Sequence, residues 1–431
     1  MLGAVKPPRM AIAPCLLIAI VCGAAEGHTA PTASSRREAT EEAQATSGAS
    51  TGRDGPIEWA AHVSSPRPLV PEGSAAARDR LARLLARCGR GEAGLEEVAQ
   101  RVVASRLAGR PHLDLAALTF LLRAAGEPHV WPHAWVISGR PLDPAATEAK
   151  LEAWGATFQD AGDRRCGVAS GVANDGTEVT AAVALDALAD LSPLPIEVQV
   201  GMWLTVDARL LVPVTDAHVI VQGPASDPRS VPSWVETAKE DGLVHLRARF
   251  APDRPGPLTA QVVADVGTGP RPILEARLFA DVSPPDRFDR AIAPGEDARP
   301  PGPVGTSADH LLAMVGALRD AERLRPLARD PSLDDVALAH AHRMLTARTV
   351  GHDVGDGDPE DRVLAAGVRA RLVGENVAHA ASIRLAHRAL YDSPSHRANL
   401  LRAEFDRVGA AVLADADGSV WVAEVFAAGP R

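Results

Sequence analysis

The chain has 431 residues, too many for one ordinary core, and its 46% hydrophobic content is that of a folded globular protein. Typical domain sizes of roughly 100–200 residues imply two to four domains. A formal net charge of −10 argues against a nucleic-acid binder, because phosphate recognition needs a concentrated basic face and none is visible.

At the N-terminus, Lys6 and Arg9 precede an apolar run over residues 10–22, and Gly23, Ala24 and Ala25 follow. This is the pattern of a secretory signal peptide. The run is too short for a membrane span and is interrupted by Pro14. The expectation is cleavage after Ala25, giving a signal peptide over 1–25 and an exported protein: extracellular, periplasmic or at the cell surface. A lipoprotein acylated at Cys22 is the weaker alternative, because Val21 stands where a small residue is normally required. Residues 26–73 mix Ser, Thr, Ala, Gly, Glu, Arg and Pro without apolar periodicity, and read as a disordered tether. With Cys15 and Cys22 in the signal region, the mature part has Cys88 and Cys166. One disulfide, worth about 2–4 kcal/mol in an oxidising compartment, and two separate buried thiols are both open readings.

Residues 74–192 are helical first and extended last, an α+β order. Leu81, Leu84 and Leu85, then Leu95, Val98, Val102 and Val103, then Leu118, Leu121 and Leu122 recur at helical spacing. Asn174, Asp175 and Gly176 form a turn signal before the strand-like run 179–185, favouring a hairpin. Over 193–284 the texture changes to short β-rich runs at 196–206, 217–222, 243–250, 258–266 and 273–282, separated by Asp, Gly and Pro. That spacing is expected of an antiparallel, immunoglobulin-like sandwich. Residues 285–306 are rich in Pro, Gly and acidic residues and read as a linker, leaving a last domain over 307–429.

The two α+β regions match in order. Residues 94–99 answer 332–337, 122–126 answer 363–367, and Arg165, Cys166 and Gly167 with the run 179–185 answer Arg407, Val408 and Gly409 with 420–426. Such ordered blocks suggest a duplication. The polar residues do not survive it: His133, Ala134 and Trp135 stand where the second copy has Gly374, Glu375 and Asn376, and Trp154 stands near the place of His396. His129, Trp131, His133 and Trp135, set among Pro128 and Pro132, read as a packed aromatic corner.

The last domain carries the chemistry. A helix of the form L-x-x-x-A-x-x-H from Leu333, His352 after it, Asp361, Arg362 and Val363, the Gly374, Glu375, Asn376 triplet, the segment Ser393, Pro394, Ser395, His396, Arg397, Ala398, Asn399, and a terminal run to Phe426 lie in order. These residues resemble the CAP superfamily of cysteine-rich secretory, antigen 5 and pathogenesis-related proteins, in its bacterial SCP-like extracellular branch. The resemblance implies an α-β-α sandwich with a cleft lined by two histidines and two acids. Carried over, the histidines are His352 and His396 and one acid is Glu375; the second acidic position falls at Ser393, with Glu424 and Asp392 as candidates for the missing charge. On chemistry alone, two imidazoles and a carboxylate can hold Zn²⁺ with an open position or act as acid and base near neutral pH. The spacing is not that of a compact H-E-x-x-H metal helix.

Gly374 is expected to let the backbone turn so that Glu375 faces inward, and Asn399 to fix its loop by hydrogen bonds. His310, His340, His342, His379 and His387 read as solvated or capping. Asp353, Asp356 and Asp358 form a loose calcium-like loop without the terminal Glu of that motif, hence a solvated loop. There is no G-x-S-x-G elbow, and the last domain has no cysteine nucleophile. Three functions follow. The first is an exported bacterial protein binding an envelope component, lipid or peptide through His352, Glu375, Ser393 and His396. The second is a hydrolase with Zn²⁺ on His352 and His396 and Glu375 as base. The third is a non-catalytic adhesion protein.

Overall fold

In the computed structural model, residues 75–110, 113–158, 162–223, 228–238, 242–285, 287–288, 292–300 and 307–429 are described. The signal peptide expected over 1–25, with Cys22, and the tether expected over 26–73 lie outside them.

The first domain runs α1 (Ala75–Cys88), β1 (Arg90–Gly91), α2 (Ala93–Leu107), α3 (Leu115–Ala124), β2 (His133–Gly139), α4 (Pro144–Gly155), β3 (Asp163–Val172) and β4 (Glu178–Ala187), with strands in the order β1-β3-β4-β2. The expected hairpin joins β3 to β4 through Gly176 at φ +81°. Strand alternation sends successive side chains to opposite faces. Ala181, Val183 and Leu185 accordingly meet Leu95, Val98 and Leu122, while Ala182 and Ala184 meet Leu84, Leu151 and Phe158. The sheet is thus covered by helices on both faces. Cys88 and Cys166 form a disulfide between α1 and β3, with a Cα separation of 5.9 Å.

The middle domain is a sandwich of β5 (Ala189–Leu191), β6 (Glu197–Val198), β7 (Leu204–Leu210), β8 (Ala217–Gln222), β9 (Arg229–Val231), β10 (Ser233–Thr237), β11 (Val244–Phe250), β12 (Gly256–Asp265) and β13 (Pro270–Ala280). One sheet has the order β10-β11-β7-β5 and the other β6-β13-β12-β8-β9. Inward residues of both, among them Val206, Leu246, Val219 and Val262, share one core. β5 pairs with β7, so the chain enters this sandwich directly from β4. The run expected as one strand over 196–206 is broken at Gly201, which has φ +82°.

The third domain runs α5 (Ser307–Ala321), β14 (Ala328–Arg329), α6 (Pro331–Ala347), α7 (Pro359–Ala365), β15 (Leu372–Ala380), α8 (Ile383–Asp392), α9 (Pro394–Leu400), β16 (Arg407–Ala414) and β17 (Val420–Ala428). Its strand order, β14-β16-β17-β15, repeats that of the first domain, including the parallel first pair. A Cβ on Gly167 would run into the backbone of Leu95 and Glu96, and one on Gly409 into that of Leu333 and Asp334. Gly167 thus lies under the first turn of α2, and Gly409 under the first turn of α6. From them the register can be read across: Gly167 faces Val183, which faces Ala134, and Gly409 faces Val425, which faces Glu375. Ala134 therefore stands in the place of Glu375, and Trp135 in that of Asn376.

The two domains differ at two connections. α2 joins α3 over residues 108–114, whereas α6 joins α7 over 348–358, the loop that carries His352. Among the described residues, no helix stands between α4 and β3, where the third domain has α9. The expected match of His396 to Trp154 is therefore corrected: the segment bearing His396 has no helical counterpart. Trp154 instead packs edge-on against Phe158, which His133 also meets edge-on. His129 is not part of that corner; it is buried against Glu127 and the Ala189 carbonyl.

Part of the expected linker is tied down. Glu296 is buried and forms an ion pair with Arg388 of α8, and the Pro294 carbonyl bonds His387 Nε2 at 3.2 Å.

Candidate functional site

α6 begins at Asp330, whose side chain accepts from Ser332 N at 3.0 Å, with Pro331 in its first turn. Its buried stripe of Leu333, Val336, Ala337, His340, Ala341 and Met344 follows helical spacing. This stripe carries His340 onto the sheet beside Glu375. In β15, Val373 and Val377 face the α6 side, so Glu375 between them does too, and Asn376 faces α8 and α9.

Glu375 is the hub of this side. His352 Nδ1 lies 2.8 Å from Oε1, Arg362 Nη2 donates to Oε2 at 2.5 Å, and His340 Nε2 lies 3.7 Å from Oε1. The carboxylate has no solvent exposure. Burial alone would raise its pKa, but the His352 hydrogen bond and the charges of His352, His340 and Arg362 outweigh that and hold it below its ordinary value. Arg362 also donates to the carbonyls of His352 and Gly357, which fixes the His352 loop.

α9 supplies the other half. Ser393 occupies its N-cap position without capping the helix; its Oγ meets His396 Nδ1 at 2.8 Å instead. Asn399 Nδ2 donates to the Glu375 carbonyl and to Asn376 Oδ1, both at 3.0 Å, and Asn376 Nδ2 donates to Glu424 Oε2 at 3.0 Å. The far end of α9 is held by buried Arg319, whose Nη1 donates to the Leu400 carbonyl at 2.8 Å and the Arg402 carbonyl at 3.1 Å. His396 is 8% exposed, and burial, aided by neighbouring His352, pushes its pKa down to about 3. At neutral pH it is an uncharged imidazole. The Nε2 atoms of His352 and His396 have no hydrogen-bond partner among the described residues.

Several expectations are corrected here. Glu424 cannot replace the second acid: it sits on the face of β17 opposite Ala423 and Val425, fully buried beneath Asn376, with its pKa pushed up to about 7 by burial. Asp392 lies among the charges of Arg277, Glu275, Arg388 and Arg397 rather than beside the imidazoles, and burial there is the main cause that raises its carboxyl to about 6. Gly374 does not turn the chain; a Cβ there would lie 2.6 Å from Phe405 Cζ and 2.9 Å from Asn399 Oδ1, so its role is to admit close packing. His340 and His387 are buried, not solvated, and His379 stacks on Trp421. The calcium-like loop is internally committed: Asp353 accepts from Gly355 N and Gly357 N, Asp356 meets His340, and Asp358 caps α7. His340 and Arg362 also belong to the site, through their contacts with Glu375, although residue type alone does not mark them. The apolar periodicity around His340 was the signal that could have found it.

A three-ligand zinc centre does not fit. Among the described residues no group of three His, Cys, Asp or Glu side chains converges to hold a metal ion, and both oxygens of Glu375 are occupied by protein partners.

Comparison with known proteins agrees with the geometry. Residues 312–425 match the model of the CAP family, described as the cysteine-rich secretory protein family. The third domain is a CAP domain. No curated protein matches the chain. Similar solved structures include an outer surface protein from Borrelia burgdorferi, 23% identical over 29% of this chain and 93% of that one, with a TM-score of 0.28. An extracellular protein containing an SCP domain from Bacillus anthracis is 19% identical over 61% of this chain and 81% of that one, with a TM-score of 0.26. A cysteine-rich secretory protein from Staphylococcus aureus is 12% identical over 56% and 81%, with a TM-score of 0.24. No helix among the described residues is long and apolar enough to cross a membrane.

Proposed function

We propose that this is an exported bacterial CAP-domain protein that binds an envelope-derived lipid or peptide at the His352 and His396 cleft without hydrolysing it. The observation behind this reading is the state of Glu375: one oxygen meets His352 and the other Arg362, which leaves the carboxylate to orient a ring and not to activate water. The groups left to meet a ligand are the two Nε2 atoms, each on a ring fixed through Nδ1 by Glu375 or Ser393. The first domain is a degenerate CAP-like copy in this reading, supported by the shared strand order. The sandwich is an immunoglobulin-like module between them.

The test is ¹⁵N-histidine NMR of the full chain, titrated separately with phosphatidylglycerol vesicles, with muropeptides and with Zn²⁺ alone. Perturbation of both rings by vesicles or muropeptides, abolished in His396→Ala, is expected. Turnover of an ester or peptide substrate that depends on Glu375 would overturn the reading, as would rings that respond to Zn²⁺ alone.

A further inference from the structure

The middle domain does not stand apart from the cleft. Its β12–β13 hairpin touches both walls. On one wall, the Thr268 carbonyl accepts from His352 N at 2.8 Å and Asp353 N at 3.1 Å. The hairpin tip is so close that a Cβ on Gly269 would lie 2.7 Å from His352 Cβ, and one on Gly351 would lie 3.0 Å from Thr268 Cβ. On the other wall, the amide of Gln261 straddles the start of α9: Nε2 donates to Ser393 Oγ at 3.3 Å, and Oε1 accepts from Ser395 N at 3.0 Å. Ser393 Oγ is the atom that holds His396 Nδ1. α9 as a whole packs on β8 and β12.

The hairpin is in turn held from behind by the first domain. Gln261 Nε2 also donates to Glu275 Oε2 at 3.3 Å, and Glu275 Oε1 faces Arg123 Nε at 3.5 Å. Glu275 N donates to the Pro128 carbonyl at 2.7 Å, His129 bridges to Leu274, and Trp131 Nε1 donates to the Pro272 carbonyl at 3.3 Å. Arg123 is itself buried and bonded to the carbonyls of Glu127 and His129. One polar chain therefore runs from Arg123 of the first domain through Glu275 and Gln261 of the sandwich to Ser393 and His396 of the third.

We propose that the sandwich, through its β12–β13 hairpin, is a built-in cap over the His352 and His396 cleft, latched by Gln261 and Thr268 and braced by Arg123, so that a ligand reaches both imidazoles only when the sandwich moves off the CAP domain as one body. This rests on the cleft being the binding site but concerns its regulation, and it gives the first domain a task that needs no cleft of its own. Two small contact groups hold the latch, and an interface of this kind opens at modest cost.

Diethylpyrocarbonate labelling of the full chain, read residue by residue by mass spectrometry, tests the cap with no ligand present. The reagent attacks neutral imidazole, so His396 is reactive if reached. Wild-type His396 is expected to label at least about tenfold more slowly than exposed His342. In Gln261→Ala/Gly269→Ala, whose new Cβ wedges the hairpin off His352, His396 labelling is expected to rise at least about fivefold. His340, with no exposure inside the CAP domain and bonded on both ring nitrogens, to Asp356 and the Gly351 carbonyl, is expected to stay protected and reports that the domain remains folded. Arg123→Met, remote from the cleft, is expected to shift His396 in the same direction. Wild-type His396 labelling as fast as His342 would overturn the cap. So would unchanged His396 in both variants, or a rise that His340 shares equally. Ligand-induced ring shifts alongside such a result would leave the binding reading standing and remove only the cap.

Discussion

Glu375→Gln isolates the hub of the cleft with almost no change of volume. It removes one charge from a pair whose other member, Arg362, has only 9% side-chain exposure. Breaking a buried pair by removing one partner typically costs about 3–5 kcal/mol, because the surviving charge is left without its counterion. Arg362 would keep the His352 carbonyl at 2.8 Å and Asp356 Oδ1 at 3.6 Å, so the lower end, about 3 kcal/mol, applies. Hydrogen exchange of β15 and β17 amides reads this locally and avoids treating three domains as one transition. A loss of about 3 kcal/mol appears as roughly hundredfold faster exchange, at about 1.4 kcal/mol per decade. The pH dependence fixes the cause. A carboxyl held below its ordinary pKa stabilises in full above its unfolded value of about 4.3, and that stability is lost as pH falls through the folded value. The gap between wild type and variant is therefore full at pH 7 and closes below about pH 4. Exchange within threefold of wild type at pH 7, or a gap that persists in strong acid, would refute the reasoning.

Other outcomes follow from the same contacts. Glu424 has its carboxyl raised from 4.5 to about 7, so it favours folding in full below about pH 4.5 and this is lost as pH rises through about 7. β17 protection should fall by about 3 kcal/mol over that window, and Glu424→Gln, which keeps an acceptor for Asn376, should flatten the curve. Gly374→Ala places a methyl against Phe405 and Asn399 and should cost about 1–3 kcal/mol while shifting the His396 ring resonances, whereas Gly418→Ala, on the β16–β17 turn, should leave those resonances in place. Cys88→Ser/Cys166→Ser opens a cross-link of sequence separation 78 and should lower protection of β3 and β4 by about 4 kcal/mol, leaving β15 to β17 unchanged.

Much of the fold was legible because local pattern and tertiary role agree. The run expected over 217–222 is β8, that over 243–250 is nearly β11, and the Asn174, Asp175, Gly176 signal makes the β3–β4 turn. β10 was invisible because Trp234, Val235, Glu236 and Thr237 are all exposed on an edge, so no burial alternation marks it. β5 looked like the end of the first domain because Ala189 follows β4 almost without a break; only its pairing with β7 assigns it to the sandwich. In the site, His352, Glu375 and His396 were named from motifs. His340 reads in the sequence as a lone histidine, since residue type alone cannot show that Asp356 and the Gly351 carbonyl satisfy it in the core. The contact of Gln261 with Ser393 joins residues 132 positions apart in two different domains, and no local rule reports such a meeting.

The duplication and the cap bear on each other. If the first domain is a degenerate copy, as proposed, it is free to lose the equivalent of Glu375, and Ala134 stands at that register position. It is not free to lose partners of its buried charges, since an orphaned ion inside a domain costs more than the pair ever contributed. In the first domain those charges lie toward the sandwich. Asp190 of β5 pairs at once with Arg165 of β3 and Arg209 of β7, and Arg165 also faces Glu92 and His129. The junction between the first two domains is thus an ionic knot, buried at Asp190, Arg165, Glu92 and His129 and open to solvent at Arg209, on a connection only one residue long, Leu188, between β4 and β5. By contrast, the hydrogen bonds from the hairpin to the CAP domain join uncharged groups, the Thr268 carbonyl with the His352 and Asp353 N–H groups and the Gln261 amide with the Ser393 hydroxyl and the Ser395 N–H, while Asp392 sits among the charges of Arg277 and Glu275 without a hydrogen bond to either among the described residues. Neutral hydrogen bonds part at about half the cost of charge-assisted ones. On the proposed cap, the weaker hydrogen bonding favours the CAP domain as the neighbour that the sandwich leaves, and the first domain as the one it stays with.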